Sequence, residues 1–269
     1  MTDKLRSEVT GNTALVTIDN PPANTWDADN LGALEELVGS LNANREVYSL
    51  VITGQGEKFF SAGADLNLFA DGDKDNAREI AEAFGRAFET LSRFRGVSVA
   101  AINGYAMGGG FMLVERTDLR VAVPNAIFEV SEAKRWLLGG YNHGFVANLP
   151  HPVATEMALG FRQTAERLHQ VGFLNRLAEP DALIPTAIEM AEHLLTLPPA
   201  SRVNTVHMMR NMQPQVAPNL QRLAARLKDH GHKPDLMESR AAFAEKRTPN
   251  FQGWDDPADR YQMPQLEED

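Results

Sequence analysis

The feature that most constrains the fold of this chain is the alternation of strand-like and helix-like segments over its first half. Apolar residues run in short β-type stretches at 13–19, 48–54, 97–103 and 119–123. Between these stretches, apolar residues recur at helical spacing over 31–41 and 75–95, and a short helical pattern covers 111–118. Strands that alternate with helices predict an α/β core.

Beyond Ala154 the pattern is almost entirely helical. Apolar stripes follow one helical face at 184–195 and another at 220–227, and prolines separate the predicted helices. The sequence therefore predicts a core in residues 1–200 and a C-terminal helical region with a polar tail in residues 201–269.

Composition narrows the classes of function. The chain has no cysteine, which excludes disulfides, thiolate nucleophiles and thiolate zinc sites, and a reducing cytoplasm is the expected location. The formal charge of −10 argues against nucleic acid as a partner. No apolar run approaches the roughly 18 residues that a membrane span needs. Motifs for dinucleotides, for P-loop phosphates, for a nucleophile elbow and for a His-Glu-x-x-His metal site are absent, so no metal is expected.

Two loops of small residues each follow a predicted strand and lead into a helix. They are "SAGADL" at 61–66 and "GGG" at 108–110. Backbone N–H groups at such a junction are unpaired, and small side chains let a ligand oxygen approach them. Two converging donors would form an oxyanion hole. Either loop alone is more often a tight strand-to-helix turn.

Three segments carry a resemblance to a known family. "GQGEKFFSAGADLNLF", "VAAINGYAMGGGFMLVERTDLRVAV" and "AFAEKRTPNF" resemble signatures of the crotonase (enoyl-CoA hydratase/isomerase) superfamily, and the resemblance extends from Thr13 to about Phe251. It implies an α/β fold with a crotonase-like spiral of ββα units, a helical C-terminal trimerisation region, and assembly into trimers or hexamers. It also implies an acyl-CoA thioester substrate.

The resemblance assigns roles to particular residues. The N–H groups of Ala64 and Gly109 would hold the thioester oxygen as it becomes an enolate, and the carbonyl of Ala62 would contact the adenine of CoA. Asp65 would cap the turn. Lys246 matches a basic residue that reaches the CoA phosphates, and a solvated helix charge is an equal interpretation. No metal or redox cofactor is implied, since CoA is part of the substrate.

The chain departs from the family at its carboxylates. Hydratases of this family usually carry two glutamates; Glu132 occupies one of these positions, and Met112 occupies the other. Glu115 lies one helical turn after Met112 and could face the same side, although a structural carboxylate beside Arg116 is the commoner interpretation.

The loop after Glu132 also departs from the family, which often has a glycine-rich run there. Tyr141, Asn142 and His143 bring polar groups to a place that normally lines the acyl pocket. They either supply a missing acid, base or water anchor or only reshape the pocket. Hydration of a 2-enoyl-CoA, or its reversal, is the first hypothesis. A double-bond isomerase or hydratase-lyase that uses one glutamate is the alternative, and a non-catalytic acyl-CoA-binding protein is the third.

Overall fold

A computed structural model describes residues 3–69, 74–135, 138–229, 233–251 and 264–266. The strands, numbered along the chain, are β1 (Leu5–Thr10), β2 (Thr13–Ile18), β3 (Thr25–Trp26), β4 (Ser49–Gly54), β5 (Phe59–Ser61), β6 (Gly63–Ala64), β7 (Val97–Ile102), β8 (Tyr105–Met107), β9 (Leu119–Ala122), β10 (Ile127–Glu129), β11 (Gln163–Thr164) and β12 (Arg176–Leu177). The α-helices are α1 (Ala28–Ala43), α2 (Lys74–Ser92), α3 (Gly109–Glu115), α4 (His143–Val146), α5 (His151–Ala158), α6 (Ala165–Gln170), α7 (Leu183–Glu192), α8 (Pro199–Asn211), α9 (Pro218–Asp229) and α10 (Lys233–Ala244).

The strands form three sheets that the chain visits in turn. The largest sheet has the order β1-β2-β4-β7-β9-β12 and is parallel except for the β1–β2 pair. The second has the order β11-β10-β8-β5, and β3 pairs with β6 in the third. One turn of the chain runs from β7 in the first sheet to β8 in the second and then into α3. This repeated course is the predicted spiral of ββα units.

The central strands form because their side chains are buried on both faces. Every residue of β4 and β7 is buried, as continuous apolar runs in parallel sheets require. Helix α7 packs against both strands. Each fully buried Val, Leu or Ile contributes about 1.5–3 kcal/mol to folding, so this layer supplies much of the stability of the core.

Helix α1 begins with a capping box. Asp27 accepts hydrogen bonds from the N–H groups of Asp29 (3.1 Å) and Asn30 (3.2 Å), and Asn30 accepts one from the N–H of Asp27 at 2.7 Å. The sequence placed the helix start after a capping Asp or Asn near this point, and Asp27 fills that role.

Helix α2 covers the second small-residue loop. The predicted face of Phe84, Phe88 and Leu91 is buried, and Phe88 packs edge-on against the ring of Trp26 at 5.3 Å. Phe84 packs edge-on against Phe88 at 5.5 Å, which directs its ring toward Gly109. The spacing of these aromatic residues therefore positions part of the site.

Two polar anchors hold the C-terminal helices on the core. Arg210 of α8 donates to both carboxylate oxygens of Asp118, at 2.7 and 2.5 Å, and also to the carbonyls of Phe94 and Gly96. Ser239 of α10 donates to the carbonyl of Lys134 at 2.7 Å. Among the described residues, no helix is both long and apolar enough to cross a membrane. The division into 1–200 and 201–269 and the trimerisation of the helices stay predictions, and most of the polar tail lies outside the described residues.

Candidate active site

The two small-residue loops touch each other at Gly63. This residue has φ +86°, and a Cβ atom there would lie 2.7 Å from the carbonyl oxygen of Met107 and 2.9 Å from the backbone nitrogen of Gly109. No side chain fits that space, and φ in this range also favours glycine. The sequence identified the two loops as parts of one device, and the fold does bring them into contact.

The other glycines of "GGG" are also fixed by close neighbours. A Cβ atom on Gly109 would lie 2.7 Å from the ring of Phe84, and one on Gly110 would lie 2.3 Å from the carbonyl oxygen of Ser61. Gly108 has φ +48° and precedes the first residue of α3. The run of glycines therefore lets β5, β6 and α2 close around the start of α3.

The N-terminal end of α3 points its first N–H groups away from the helix, because these groups have no carbonyl partner one turn earlier. The opposite end is held by Arg120, which donates to the carbonyls of Val114 (3.0 Å), Glu115 (3.0 Å) and Thr117 (2.8 Å). Its guanidinium also lies 4.5 Å from the centre of the Phe173 ring. A helix of seven residues is too short to be stable alone, so this clamp helps to keep Gly109 in place.

Glu132 borders this loop from the other side. It follows β10, and a Cβ atom on Gly108 would lie 3.4 Å from Glu132 Oε1. A Cβ atom on Gly140 would lie 3.0 Å from Glu132 Cβ, so Gly140 makes room for this side chain. Burial raises the pKa of Glu132, and the nearby His143 partly opposes that rise. Glu132 Oε2 is buried without a hydrogen-bond partner among the described residues.

His143 lies between two carboxylates. Its Nδ1 is 3.1 Å from Glu115 Oε2, and its Nε2 is 3.8 Å from Glu132 Oε1. Burial alone would lower the pKa of His143, but the Glu115 carboxylate, with a smaller contribution from Glu132, raises it to about 9. The side chain is therefore an imidazolium at neutral pH.

Glu115 lies beside Arg116, as the structural interpretation of the sequence expected, and a role in the reaction stays a prediction. Besides its contact with His143, its Oε1 lies 3.6 Å from Nε of Arg116. Its side chain is only 1% exposed. The sequence named Glu115, Glu132 and His143 separately, but nothing in their spacing showed that an imidazole joins the two carboxylates.

The remaining predicted site residues have simpler surroundings. Met112 is partly buried and packs against the hydrophobic core, while Tyr141 is 38% exposed, with a pKa that partial burial raises. Ala62 donates its N–H to the carbonyl of Ala23 at 2.9 Å, which leaves its predicted contact with adenine an expectation. Asp65 caps the turn as predicted, since its carboxylate accepts the N–H of Asn67 at 2.9 Å. Lys246 is exposed just after α10.

Two cavities share Tyr141 and Asn142. The larger, of about 1340 Å³, lies between α8 and the core and includes several arginines in its wall. The smaller, of about 330 Å³, lies against α9 and is mainly apolar. Its described lining residues are Tyr141, Asn142, Phe145, Val216, Leu220, Leu223, Ala224 and Leu227. We call this smaller cavity the α9 groove.

Comparisons with known proteins show which family this chain resembles. Residues 8–254 match the family model described as enoyl-CoA hydratase/isomerase. The chain is 33% identical over 267 residues to a carnitinyl-CoA dehydratase from Salmonella arizonae, which covers 94% of this chain and 100% of the relative.

Solved structures show the same similarity. Pseudomonas aeruginosa DspI is 41% identical, with a TM-score of 0.75 over 93% of this chain and 97% of that one. A carnitinyl-CoA hydratase from Mycobacterium avium is 29% identical, with a TM-score of 0.78 over 94% of this chain and 100% of that one. The chain therefore belongs to the enoyl-CoA hydratase/isomerase family and is an enzyme of the enoyl-CoA hydratase type.

Proposed function

We propose that this enzyme interconverts a 2-enoyl-CoA and a 3-hydroxyacyl-CoA by adding or removing water. The observation that carries the proposal is the contact between the loops of Gly63 and Gly109, with the Glu132 carboxylate beside them. Similar proteins are named dehydratase and hydratase, and both names support a reaction that removes or adds water.

The geometry supports a route through an enolate. In the dehydration direction, the thioester oxygen accepts hydrogen bonds from the N–H groups of Ala64 and Gly109. Glu132 removes the proton on the carbon next to the thioester, and the negative charge moves onto the oxygen. The enolate then re-forms its carbonyl and expels the hydroxyl group of the next carbon, which takes the proton from Glu132 and leaves as water. Hydration is the reverse of these steps.

The α9 groove suggests the class of acyl chain. None of the described residues that line it is acidic, and most are aliphatic or aromatic. An uncharged hydrocarbon chain gains about 0.8 kcal/mol for each CH₂ group that it buries. A carnitinyl group carries a positive charge, for which the groove offers no carboxylate. We therefore propose an uncharged acyl chain, although several relatives are named for the carnitinyl group.

The remaining contacts are also part of the proposal. The Ala62 carbonyl would accept a hydrogen bond from adenine. Lys246 is exposed, so its ammonium group would bind the CoA phosphates at the protein surface. The chemistry uses the thioester itself as the electron sink, so we propose no metal or redox cofactor. We propose a trimer or a hexamer, because α8 and its C-cap present exposed Met208, Met209 and Met212 to solvent.

One observation favours a second function. Met112 removes one of the two carboxylates that the family's hydratases usually carry, and one glutamate suffices to move a proton between two carbons. A double-bond isomerase is therefore the second candidate. The hydratase remains first because similar proteins are named carnitinyl-CoA dehydratase and carnitinyl-CoA hydratase.

The test is an absorbance assay in which wild-type enzyme is mixed separately with crotonyl-CoA, longer 2-enoyl-CoAs and a crotonobetainyl-CoA. Loss of the absorbance of the conjugated enoyl thioester reports hydration. A 3-enoyl-CoA tests isomerisation beside them. Glu132→Gln should lower kcat on the order of 10²-fold or more and leave acyl-CoA binding intact. The exposed Glu36→Gln is the control and should match wild type. Turnover of the 3-enoyl-CoA alone would overturn the hydratase in favour of the isomerase, and turnover of no thioester at all would overturn both.

A further inference from the structure

We infer that His143, held as a cation by Glu115, is a positioning residue that keeps the Glu132 carboxylate ionised and in place for proton transfer. The inference rests on the proposed function, because it assumes that Glu132 exchanges a proton with an acyl-CoA. It also assigns a task to the loop that departs most from the family pattern.

The first support is the geometry of the three side chains. The imidazole joins Glu115 at 3.1 Å through Nδ1, while its Nε2 faces Glu132 Oε1 at 3.8 Å. The first distance is a hydrogen bond, and the second is the separation of a close ion pair. Glu115 therefore fixes the ring orientation, and the free edge of the ring faces Glu132.

The second support is the isolation of the three groups from water. The side chains of Glu115 and His143 are 1% and 8% exposed, and that of Glu132 is 16% exposed. A buried carboxylate tends to stay protonated unless a cation lies nearby. With His143 charged, Glu132 can remain a carboxylate and accept the substrate proton. Its Oε2 is buried and has no hydrogen-bond partner among the described residues, so no other group there neutralises it.

The charged groups around His143 come from three elements. Helix α3 supplies Glu115, which favours the imidazolium, and Arg116, which opposes it. The segment after β10 supplies Glu132, which also favours it, and Glu129 of β10 acts on Glu132. Glu89 of α2 lies 3.7 Å from Arg116, and Lys134 and Arg162 lie 3.0 and 2.7 Å from Glu129. Of the charges that act on the imidazole directly, Glu115 and Glu132 favour its protonated form and Arg116 opposes it less strongly.

Met112 stands where hydratases of this family usually carry a second glutamate, so the only carboxylate on α3 is that of Glu115. Residues three apart share one face of a helix, so Glu115 lies one turn beyond the vacant glutamate position. In this chain the carboxylate of α3 stands behind an imidazole instead of facing the reaction centre. The site thus retains one carboxylate for the substrate and adds a cation beside it.

The pH dependence follows from the signs of these interactions. Losing the charge of His143 raises the pKa of Glu132, so the acidic limb of the kcat/KM profile moves to higher pH. An opposite charge at this range changes a carboxyl pKa by about 1 to 3 units. In wild type, His143 loses its proton as pH rises through about 9, and activity should fall there.

The experiment compares His143→Gln, Glu115→Gln and the exposed control His207→Gln with wild type in hydration of a 2-enoyl-CoA. His143→Gln should move the acidic limb up by about one pH unit or more, with at least a tenfold loss of kcat/KM below the new limb. Above that limb only part of the activity should return, because the uncharged side chain no longer holds Glu132 in place, as in wild type above about pH 9. Glu115→Gln should move the alkaline limb to lower pH. KM should change by less than about twofold, because neither residue binds CoA.

A readout independent of turnover separates the inference from the proposed function. The imidazole of His143 is titrated by NMR, with its signal assigned by its absence from His143→Gln. A pKa near 9 in wild type that falls in Glu115→Gln supports the inference. A pKa at or below the ordinary value of about 6.5 overturns it, as do unshifted pH limbs in active variants. A wild type that turns over no enoyl-CoA overturns the proposed function. If His143→Gln does not fold by circular dichroism, the two readouts on Glu115→Gln decide.

Discussion

Replacing Gly63 with alanine tests the contact between the two loops most directly. The new methyl group would lie 2.7 Å from the carbonyl oxygen of Met107 and 2.9 Å from the backbone nitrogen of Gly109. Both neighbours are backbone atoms, which cannot rotate away. The loops must therefore move apart, and the donor on Gly109 must move with them.

The magnitude has two parts. An L-residue in the left-handed region costs roughly 1–2 kcal/mol of folding free energy. Overpacking a tight contact costs about 1–3 kcal/mol more. The expected loss of unfolding free energy is therefore about 2–5 kcal/mol. Displacing one oxyanion donor lowers kcat by about 10²–10³-fold in other enzymes, and a similar loss is expected here.

The chain contains a matched control. Gly56 has φ +83°, close to the +86° of Gly63, but a Cβ atom there would meet nothing within 4 Å. Gly56→Ala should therefore show the cost of the backbone conformation alone and keep near wild-type activity. Urea denaturation gives the unfolding free energies, and hydration of crotonyl-CoA gives kcat. Equal stability and equal activity for the two variants would refute the close approach of the loops.

Three further predictions test other parts of the molecule. Met112→Glu should raise the rate of enoyl-CoA hydration if the space near α3 still accepts a carboxylate, and should lower that rate if the Glu115–His143 pair already acts there. Melting curves must first show that the variant folds, since a buried unpaired carboxylate is costly. Arg210→Met should lower the free energy of unfolding by about 3–5 kcal/mol, because it leaves the carboxylate of Asp118 without its cation. The control Arg176→Met removes an exposed ion pair and should cost no more than about 1 kcal/mol. Similar urea midpoints for the two variants would contradict this prediction. Leu223→Trp should fill the α9 groove and lower kcat/KM for long enoyl-CoAs more than for crotonyl-CoA, and an equal loss for both would show that acyl chains lie elsewhere.

The sequence was most informative where local patterns decide the structure. Continuous apolar runs predicted β4 and β7, and helical spacing predicted the buried face of α2. Strand β1 was not predicted. All but one of its residues are exposed on an edge strand, so they carry no apolar pattern. The short β3–β6 pair also has too few residues to show any period.

The site was predictable only in part for a different reason. The loops of Gly63 and Gly109 could be found because small residues after strands have a local meaning. The contact between Glu115 and His143 joins residues 28 positions apart in the chain. Their closeness depends on how α3 packs against the loop and α4, and a single sequence does not encode that packing in any short motif.

The two proposed donors to the thioester, at Ala64 and Gly109, belong to the main chain. Every amino acid except proline carries the same N–H group, so a change of side chain does not remove the donor. Gly109 must nevertheless stay without a side chain, because a Cβ atom there would lie 2.7 Å from the ring of Phe84. The groups that move protons are side chains, and each can be lost or relocated by one substitution, as Met112 illustrates. A lineage that inherits this fold can therefore change its reaction without rebuilding the part that stabilises the enolate. The part of the site that stabilises the enolate therefore depends on backbone geometry. The part that transfers protons depends on a few side chains, which single substitutions can change.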